Sequence, residues 1–321
     1  MILVQKDSYL WMLTSLLMLL AIPAVAWVEE QPTLRFADQD RIGSIIPILA
    51  AKKGFFVEEG LHVEPLRFNN GPACAEALYT GAADMGSMGD TAAIILAVRN
   101  PKFVIIGSLA TGEHRHRIMV RKDATLQTIQ DLRGKRLGVK KGTSTHGGLL
   151  AAIAKAGLSP TDLDIIDLSP STAIDALLAG SLDAFAASEP TPTTAEQKGA
   201  RQLATLGGLG NEYPVLLVAD STFLHRKPGT VNRLMRALEK ASQYVAGHQE
   251  ETASLLATET GLSIEATRGA MLRHDYHLRL DESILSSLKQ TALFLKQQNL
   301  VNETPDWAVT LNHNFMPLKI N

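Results

Sequence analysis

The stretch GTSTHGG, residues 142–148, places hydroxyl side chains directly before an apolar run that begins at Leu149. The hydroxyls belong to Thr143, Ser144 and Thr145. Such a run is typical of a helix N-terminus, where backbone N–H groups lack partners within the helix and the helix dipole is positive. These residues could therefore hold an anion, or they could only cap the helix. His146, in the first turn, could line the same site.

A second polar cluster, TGEHRHR at residues 111–117, combines histidine with arginine. His114 and Arg115 could hold an anionic group, because a guanidinium offers an oxyanion a bidentate fork of donors. His114 and His116 could also bind a metal ion, but two histidines without further ligands are weak evidence, and we predict no metal site. The alternative is a solvated, charged connecting segment.

An acidic residue lies at each of two further positions where a helix should begin. One is Asp90, between Gly89 and Thr91, and the other is Glu189. Asp90 and Glu189 could each cap a helix or contact a ligand, and each could instead pair with Arg115 or Arg117. Because a carboxylate repels anions, a ligand contact from Asp90 would favour a solute that also carries a cationic group. Thr91 would be a better neutral donor.

The C-terminal stretch HDYHLRL, residues 274–280, holds His274, Asp275 and His277 close together. A His–Asp pair is compatible with catalysis, but the chain has no nucleophile motif of the Gly-x-Ser-x-Gly type. We expect a structural or surface role here and no catalytic residues.

Composition excludes several classes of protein. The chain has 321 residues, a net charge of −2 and a single cysteine, Cys74. This length is sufficient for two domains. The near-zero net charge gives no positive electrostatic field that would attract nucleic acid. One cysteine allows neither an internal disulfide nor a zinc site built on several cysteines, and Cys74 reads as a small buried side chain.

The first 26 residues have the pattern of an export signal. Lys6 precedes an apolar run over residues 9–22, and Ala24-Val25-Ala26 follows. We expect cleavage after Ala26 and a periplasmic location, because exported proteins without disulfides are typical of that compartment. The alternative is a retained N-terminal anchor.

An internal repeat with an offset of 99 residues links the two halves of the chain. Glu76, Ala77, Leu78, Gly81 and Asp84 match Asp175, Ala176, Leu177, Gly180 and Asp183. The same offset carries Asp90 onto Glu189. We predict a shared unit in which a helix ends at glycine, a short strand follows, and a polar residue opens the next helix.

Repeated strand–helix alternation predicts two lobes, each with a parallel sheet covered on both faces. Sites in such sheets lie at the carboxyl ends of the strands, beside helix N-termini. One more such terminus should begin at Gly71 and Pro72. Residues 117–123 and 213–220 should cross between the lobes, and helices should dominate after residue 229.

The block LAAKKGFFVEEGLHVEPLRFNNGPACAEALYTGAADMGSMGDTAAI resembles the sulfonate/nitrate/taurine-type (SsuA/TauA/NMT1-like) substrate-binding proteins of ABC importers. DLRGKRLGVKKGTSTHGGLL and GSLDAFAASEPTPTTA resemble later segments of the same family. The likeness covers about residues 33–300. The charged stretch 114–116 departs from it, because relatives often carry small or polar residues there.

The resemblance implies a type II periplasmic binding protein fold, α/β, with two doubly wound lobes that close on a small ligand. Lobe I would comprise residues 33–116 and 217–321, and lobe II residues 117–216. Gln39, Asp40 and Arg41 would face the cleft after the first strand. The implied function is non-catalytic capture of a small anion for a permease and its ATPase, by a monomer without cofactor. The alternatives are an exported sensor and an enzyme on the same fold.

Overall fold

A computed structural model describes residues 33–39 and 42–317, which belong to one compact unit. The predicted signal peptide, residues 1–26, and the predicted site residues Asp40 and Arg41 lie outside the described residues. No helix among the described residues is long and apolar enough to cross a membrane.

The described chain forms two lobes, each around a five-stranded sheet. The first sheet has the order β2-β1-β3-β10-β4. Its strands are β1 (Thr33–Asp38), β2 (His62–Arg67), β3 (Met85–Gly89), β4 (Phe103–Ala110) and β10 (Val215–Asp220). The second sheet has the order β7-β6-β8-β5-β9. Its strands are β5 (His116–Arg121), β6 (Arg136–Val139), β7 (Asp164–Asp167), β8 (Ala184–Ser188) and β9 (Ala200–Thr205).

Helices cover both sheets and continue to the C-terminus. The first lobe carries α1 (Ile45–Lys52), α2 (Phe55–Glu58), α3 (Gly71–Tyr79) and α4 (Asp90–Arg99). The second carries α5 (Ser144–Lys155), α6 (Pro170–Leu178) and α7 (Thr191–Gln197). After β10 follow α8 (Ser221–Arg226), α9 (Pro228–Gly247), α10 (Gln249–Thr260), α11 (Ile264–Met271), α12 (Glu282–Gln297) and α13 (Trp307–Thr310). Short 3-10 turns occupy Ile129–Leu132, Pro160–Asp162 and His313–Phe315.

Both sheets are mixed, so the prediction of parallel sheets is wrong for one strand in each. Strand β10 runs antiparallel to β3 and β4, and β5 runs antiparallel to β8 and β9. These two strands are the apolar runs predicted to cross between lobes. Because five of six residues in each are buried, they enter a sheet instead.

The crossing segments are therefore shorter than predicted. The chain changes sheet between Ala110 and His116 and again between Thr205 and Val215. Residues 111–115 and 206–214 form these two connections, which we call the first and second crossing segments. The lobe limits at 116/117 and 216/217 stay a prediction.

The 99-residue repeat is confirmed as a repeated structural unit. Helix α3 and strand β3 occupy the positions of α6 and β8 after a shift of 99. Gly81 and Gly180 have positive φ, as required at the end of each helix. Asp84 binds the guanidinium and the backbone N–H of Arg35, and Asp183 does the same for Arg136.

Each sheet lies between two apolar clusters. The lobe I clusters are centred on α1 and α9 on one face and on α4 and α12 on the other. The lobe II clusters lie beneath α5 on one face and α6 on the other. Helix α12 contacts both lobes, because Leu295 packs in a lobe I cluster while Phe294 packs against the α5 cluster.

Candidate functional site

A small cavity of about 50 Å³ lies between the lobes, at the carboxyl ends of their strands. Lobe I contributes Gln39, Asn69, Asn70, Gly71, Gly89 and Ala92. The first crossing segment and lobe II contribute Arg115, His116, Lys140, Thr143, Ser144, Thr145, Pro170, Ala186, Ala187 and Ser188. We call this space the cleft cavity. It has room for a few water molecules, so a larger solute requires the lobes to separate.

Four helix N-termini converge on the cleft cavity, two from each lobe. Helix α3 begins there at Asn70, α4 at Gly89, α5 at Thr143 and α6 beside Pro170. Each presents backbone N–H donors and a positive dipole end, worth about 0.3–1 kcal/mol toward an anion. The N-cap residues of α4 and α6 make no side-chain cap hydrogen bond, but in α4 the Asp90 carboxylate accepts from the Thr91 N–H at 2.7 Å, and in α6 the first residue, Pro170, has no N–H.

Two buried polar atoms on the cavity wall have no hydrogen-bond partner among the described residues. They are the hydroxyl oxygen of Ser144 and Nε2 of His116. Ser144 is 5% exposed and His116 is 2% exposed, so bulk water does not solvate them. An unpaired buried polar atom costs about 1–3 kcal/mol, which a bound oxyanion would offset.

Arg115 supplies positive charge at the same wall and is 1% exposed. Its Nε and Nη2 donate to the carbonyl oxygen of Tyr213, at 3.3 and 3.0 Å. Arg115 thus connects the first crossing segment to the second, at the point about which the lobes would move. Lys140 adds a second cation at the cavity and pairs with Asp167 at 3.1 Å.

His116 is held neutral beside these cations. Its Nδ1 lies 2.7 Å from the Thr145 hydroxyl. Burial lowers the pKa of His116 well below its usual range, and Arg115 and His274 lower it further. The imidazole therefore acts as a neutral hydrogen-bonding group rather than a third positive charge.

His274 is half-buried and lies close to Arg115. Its Nδ1 donates to the Ala270 carbonyl at 3.0 Å, while its buried Nε2 has no partner among the described residues. Burial, followed by Arg115, lowers the pKa of His274 to about 3. For residues 274–280 we predicted a structural or surface role, and Asp275 pairs with His277 on the surface at 2.7 Å.

The buried histidines predict that acid destabilises the fold near pH 6. The unfolded chain binds a proton at His274 near pH 6.5, whereas the folded chain does so only near pH 3, so stability rises with pH across this window. Lowering the pH from 7 to 5 should reduce the free energy of unfolding by roughly 1–2 kcal/mol through protonation of His274 in the unfolded chain. Urea denaturation at both pH values measures this loss. His274→Gln should reduce the difference, and an unchanged difference would contradict the assignment.

Seven of the predicted site residues line the cleft cavity. They are Gln39, Gly71, Gly89, Arg115, Thr143, Ser144 and Thr145. Thr143 also caps α5, because its hydroxyl accepts from the His146 N–H at 3.3 Å. Capping and ligand contact, the two alternatives for this stretch, are therefore compatible at α5.

Asp90 is fully buried and its carboxylate turns away from the cleft cavity. One oxygen accepts from Asn211 Nδ2 at 2.9 Å and from the Thr291 hydroxyl at 3.2 Å. The other accepts from the Thr91 N–H at 2.7 Å. These bonds join α4 to the second crossing segment and to α12. Asp90 therefore has a structural role, because it holds these elements together.

Glu189 is also buried within an ion network. Its carboxylate lies 2.7 Å from Arg117 Nη2 and 3.5 Å from Arg273 Nε, and it accepts from the Thr193 hydroxyl at 2.7 Å. The alternative that Glu189 pairs with Arg117 is confirmed. Because Arg273 follows α11, this network bridges the lobes.

The remaining described candidates lie beside the cleft cavity or on the surface. His114 is exposed and its Nδ1 lies 3.0 Å from the Thr205 hydroxyl. His146 faces its own loop, where it accepts from the Gly142 N–H at 3.4 Å. Pro72 lines a neighbouring cavity, and Thr91 faces Gly147 of α5. We leave these four out of the proposed site.

Nine residues of the cavity wall were not among the site residues predicted from the sequence. They are Asn69, Asn70, Ala92, His116 (considered only as a metal ligand), Lys140, Pro170, Ala186, Ala187 and Ser188. The repeat contains a signal for two of them, since a shift of 99 carries Gly71 onto Pro170 and Gly89 onto Ser188. No cluster of three or more metal-ligating side chains occurs within residues 33–39 and 42–317.

Comparison with known proteins places this geometry in a wider group. The family model described as NMT1/THI5 like matches residues 43–252. A putative aliphatic sulfonates-binding protein of Bacillus subtilis is 27% identical over 287 residues, covering 86% of each chain. The taurine-binding periplasmic protein of Escherichia coli is 26% identical over 271 residues, covering 79% of this chain and 83% of the relative.

Solved structures show the same fold. The alkanesulfonate-binding protein SsuA of Xanthomonas axonopodis pv. citri, bound to MOPS, superposes with a TM-score of 0.81. It is 25% identical, with 88% of this chain and 99% of that chain covered. The desulfurization enzyme DSZB has a TM-score of 0.72 at 20% identity, over 88% of this chain and 97% of the enzyme, and that likeness concerns the fold alone.

Proposed function

Because the chain belongs to the NMT1/THI5-like family, we propose that it is the solute-binding component of an ABC importer and captures a small sulfonate-type anion between its lobes. The observation that carries this proposal is the cleft cavity. Four helix N-termini and Arg115 surround the Ser144 hydroxyl there, which has no hydrogen-bond partner among the described residues. The names of the sulfonate- and taurine-binding relatives support the ligand class.

Lobe closure would provide much of the affinity. An anion entering between separated lobes meets donors from both, and closure removes water from these polar contacts. The small cavity is consistent with lobes already in contact, since a methyl group added at Gly89 would overlap the Ser144 hydroxyl. Titration calorimetry of the purified chain with ethanesulfonate tests the function, and no binding at millimolar concentration would refute it.

The hydroxyls at the α5 N-terminus should contribute to binding in two ways. We expect Thr143→Ala combined with Ser144→Ala to weaken ethanesulfonate binding up to roughly tenfold, because Ser144 supplies a donor worth about 0.5–1.5 kcal/mol and Thr143, which donates to the Lys140 carbonyl oxygen and accepts from the His146 N–H, holds the loop in place. The circular dichroism spectrum should not change, although loss of the Thr143 cap lowers stability by about 1 kcal/mol. Thr161→Ala, on an exposed 3-10 turn that does not line the cleft cavity, is the control. Unchanged affinity in the double variant would remove this loop from the site.

The same geometry predicts discrimination against amino-sulfonates. The described residues that line the cleft cavity include no carboxylate, and Asp90 and Glu189 are bonded elsewhere. An ammonium group on the ligand would lose water without gaining a counter-charge from these described residues. Taurine should therefore bind at least about tenfold more weakly than ethanesulfonate in parallel titrations. Equal or tighter binding of taurine would contradict this prediction but not the importer role.

We further propose that the chain binds its solute without converting it. Cys74, the only cysteine in the sequence, is buried in α3, and burial raises the pKa of its thiol, which disfavours the reactive thiolate. Mass spectrometry after prolonged incubation should return ethanesulfonate unchanged. Formation of a product with time would favour the enzymatic alternative.

The proposal includes export to the periplasm, cleavage after Ala26, and delivery of the solute by a monomer to a permease and its ATPase. The periplasmic binding proteins among the relatives support this location. An exported sensor would use the same cleft. Growth of a deletion strain on the sulfonate as sole sulfur source distinguishes the two, because only a transport component is needed for uptake.

A further inference from the structure

A second cavity, of about 320 Å³, lies between the lobes and shares no lining residue with the cleft cavity. Helix α5 forms one wall with Gly147, Gly148 and Ala151. Helix α12 forms the opposite wall, and Leu209, Asn211 and Tyr213 of the second crossing segment close one side. We call this space the α5–α12 cavity.

Helix α5 lines the cavity with two glycines and an alanine, so almost no side chain projects from this wall. Close contacts leave no room for a side chain at either glycine. A methyl group added at Gly148 would lie 2.5 Å from the Tyr213 hydroxyl oxygen. One added at Gly147 would lie 2.9 Å from the Thr91 hydroxyl oxygen. Two adjacent glycines destabilise a helix, so close packing is the physical reason for their presence here. The cavity is therefore bounded by helix backbone on this side.

The chemistry of the lining favours an uncharged occupant. Among the described residues no charged side chain lines the cavity. Its apolar surface comes from Leu209, Leu293 and Phe294. Asn211 at the side is already bonded through Nδ2 to Asp90 and Thr291, and through Oδ1 to Tyr213 N and Ser287. A charged ligand would find no counter-charge there, whereas an aromatic ring can contact Phe294.

The volume indicates the size of the occupant. The α5–α12 cavity is open on one side, since Leu293 is 56% exposed, and its volume is about twice that of an enclosed apolar cavity of about 150 Å³ that accommodates benzene, so two fused rings fit with one edge in solvent. The side chains of Gln290 and Gln297 lie at the exposed edge and offer amide groups to one polar atom. We propose that the α5–α12 cavity is a second binding site, for an uncharged bicyclic aromatic molecule. This inference stands independently of the anion-binding proposal.

Indole is a suitable probe, because it is uncharged and bicyclic and carries one N–H donor. Titration into the purified chain should give saturable binding with a Kd on the order of 0.1–1 mM. Ala151→Phe, which fills the cavity from α5, should weaken binding at least tenfold. Ala154→Phe, on the exposed face of the same helix, is the matched control and should leave the Kd unchanged.

A measurement on the unmodified chain keeps the test decisive if Ala151→Phe does not fold. Amide chemical-shift changes caused by indole should centre on residues 147–151 and 290–297. Absence of saturable binding at 5 mM would overturn the proposal. Shifts centred on the cleft cavity, or equal Kd values for Ala151→Phe and the unmodified chain, would overturn it as well.

Discussion

Replacing Arg115 with alanine should weaken ethanesulfonate binding at least about 100-fold. The side chain is 1% exposed on the wall of the cleft cavity, where it faces the N-termini of four helices. Removing a buried, hydrogen-bonded charge costs about 2–5 kcal/mol, and every 1.4 kcal/mol is a factor of ten in affinity. Titration calorimetry of both proteins measures the change directly.

Arg115→Lys is the informative companion to this variant. Lysine keeps the positive charge but lacks the planar fork that donates to Tyr213 O. We therefore expect an intermediate loss, about tenfold. Urea denaturation separates the effect on binding from the effect on folding. Loss of the hydrogen bonds to the Tyr213 carbonyl should lower the free energy of unfolding by about 1–3 kcal/mol in the absence of ligand. Binding of Arg115→Ala within threefold of the unmodified chain would remove Arg115 from the site.

Gly89→Ala should have the second-largest effect, about a 10- to 100-fold loss of affinity. Gly89 has φ of −70°, which alanine adopts without strain, so the backbone does not require glycine here. The added methyl group would instead overlap the Ser144 hydroxyl across the lobe interface. Overpacking of this kind costs about 1–3 kcal/mol, and here separation of the lobes relieves it.

Small-angle scattering tests that physical reason. With ethanesulfonate present, Gly89→Ala should show a larger radius of gyration than the unmodified chain, because its lobes do not close fully. Gly229→Ala is the matched control, since a methyl group there meets no atom within 4 Å. Equal affinity and equal radius for Gly89→Ala would show that the lobes do not meet at this point in the bound state.

The strand–helix units near the cleft were predictable because local signals repeat in the sequence. Gly81 and Gly180 end matching helices, and Asp84 and Asp183 bind matching arginines, so the offset of 99 carried structural information. The converging helix N-termini followed from the same pattern. The hydroxyls at Thr143 and Ser144 were predictable for the same reason, since helix capping is local.

The role of Asp90 was not predictable and that of Glu189 only through its pairing with Arg117, because the other partners are distant in the chain. Asp90 bonds Thr291, 201 residues away, and Glu189 meets Arg273 across the lobe interface. The direction of strands β5 and β10 was missed for a related reason. A continuous buried run is compatible with either direction, and only the position of the crossing segments decides it.

A crystal structure of the chain with ethanesulfonate tests the central claim most directly. We expect the sulfonate group in the cleft cavity, with its oxygens within hydrogen-bond distance of the Ser144 hydroxyl, the Arg115 guanidinium and N–H groups at the start of α4 and α5. A sulfonate bound elsewhere on the chain, with the cleft cavity left without ligand, would contradict it.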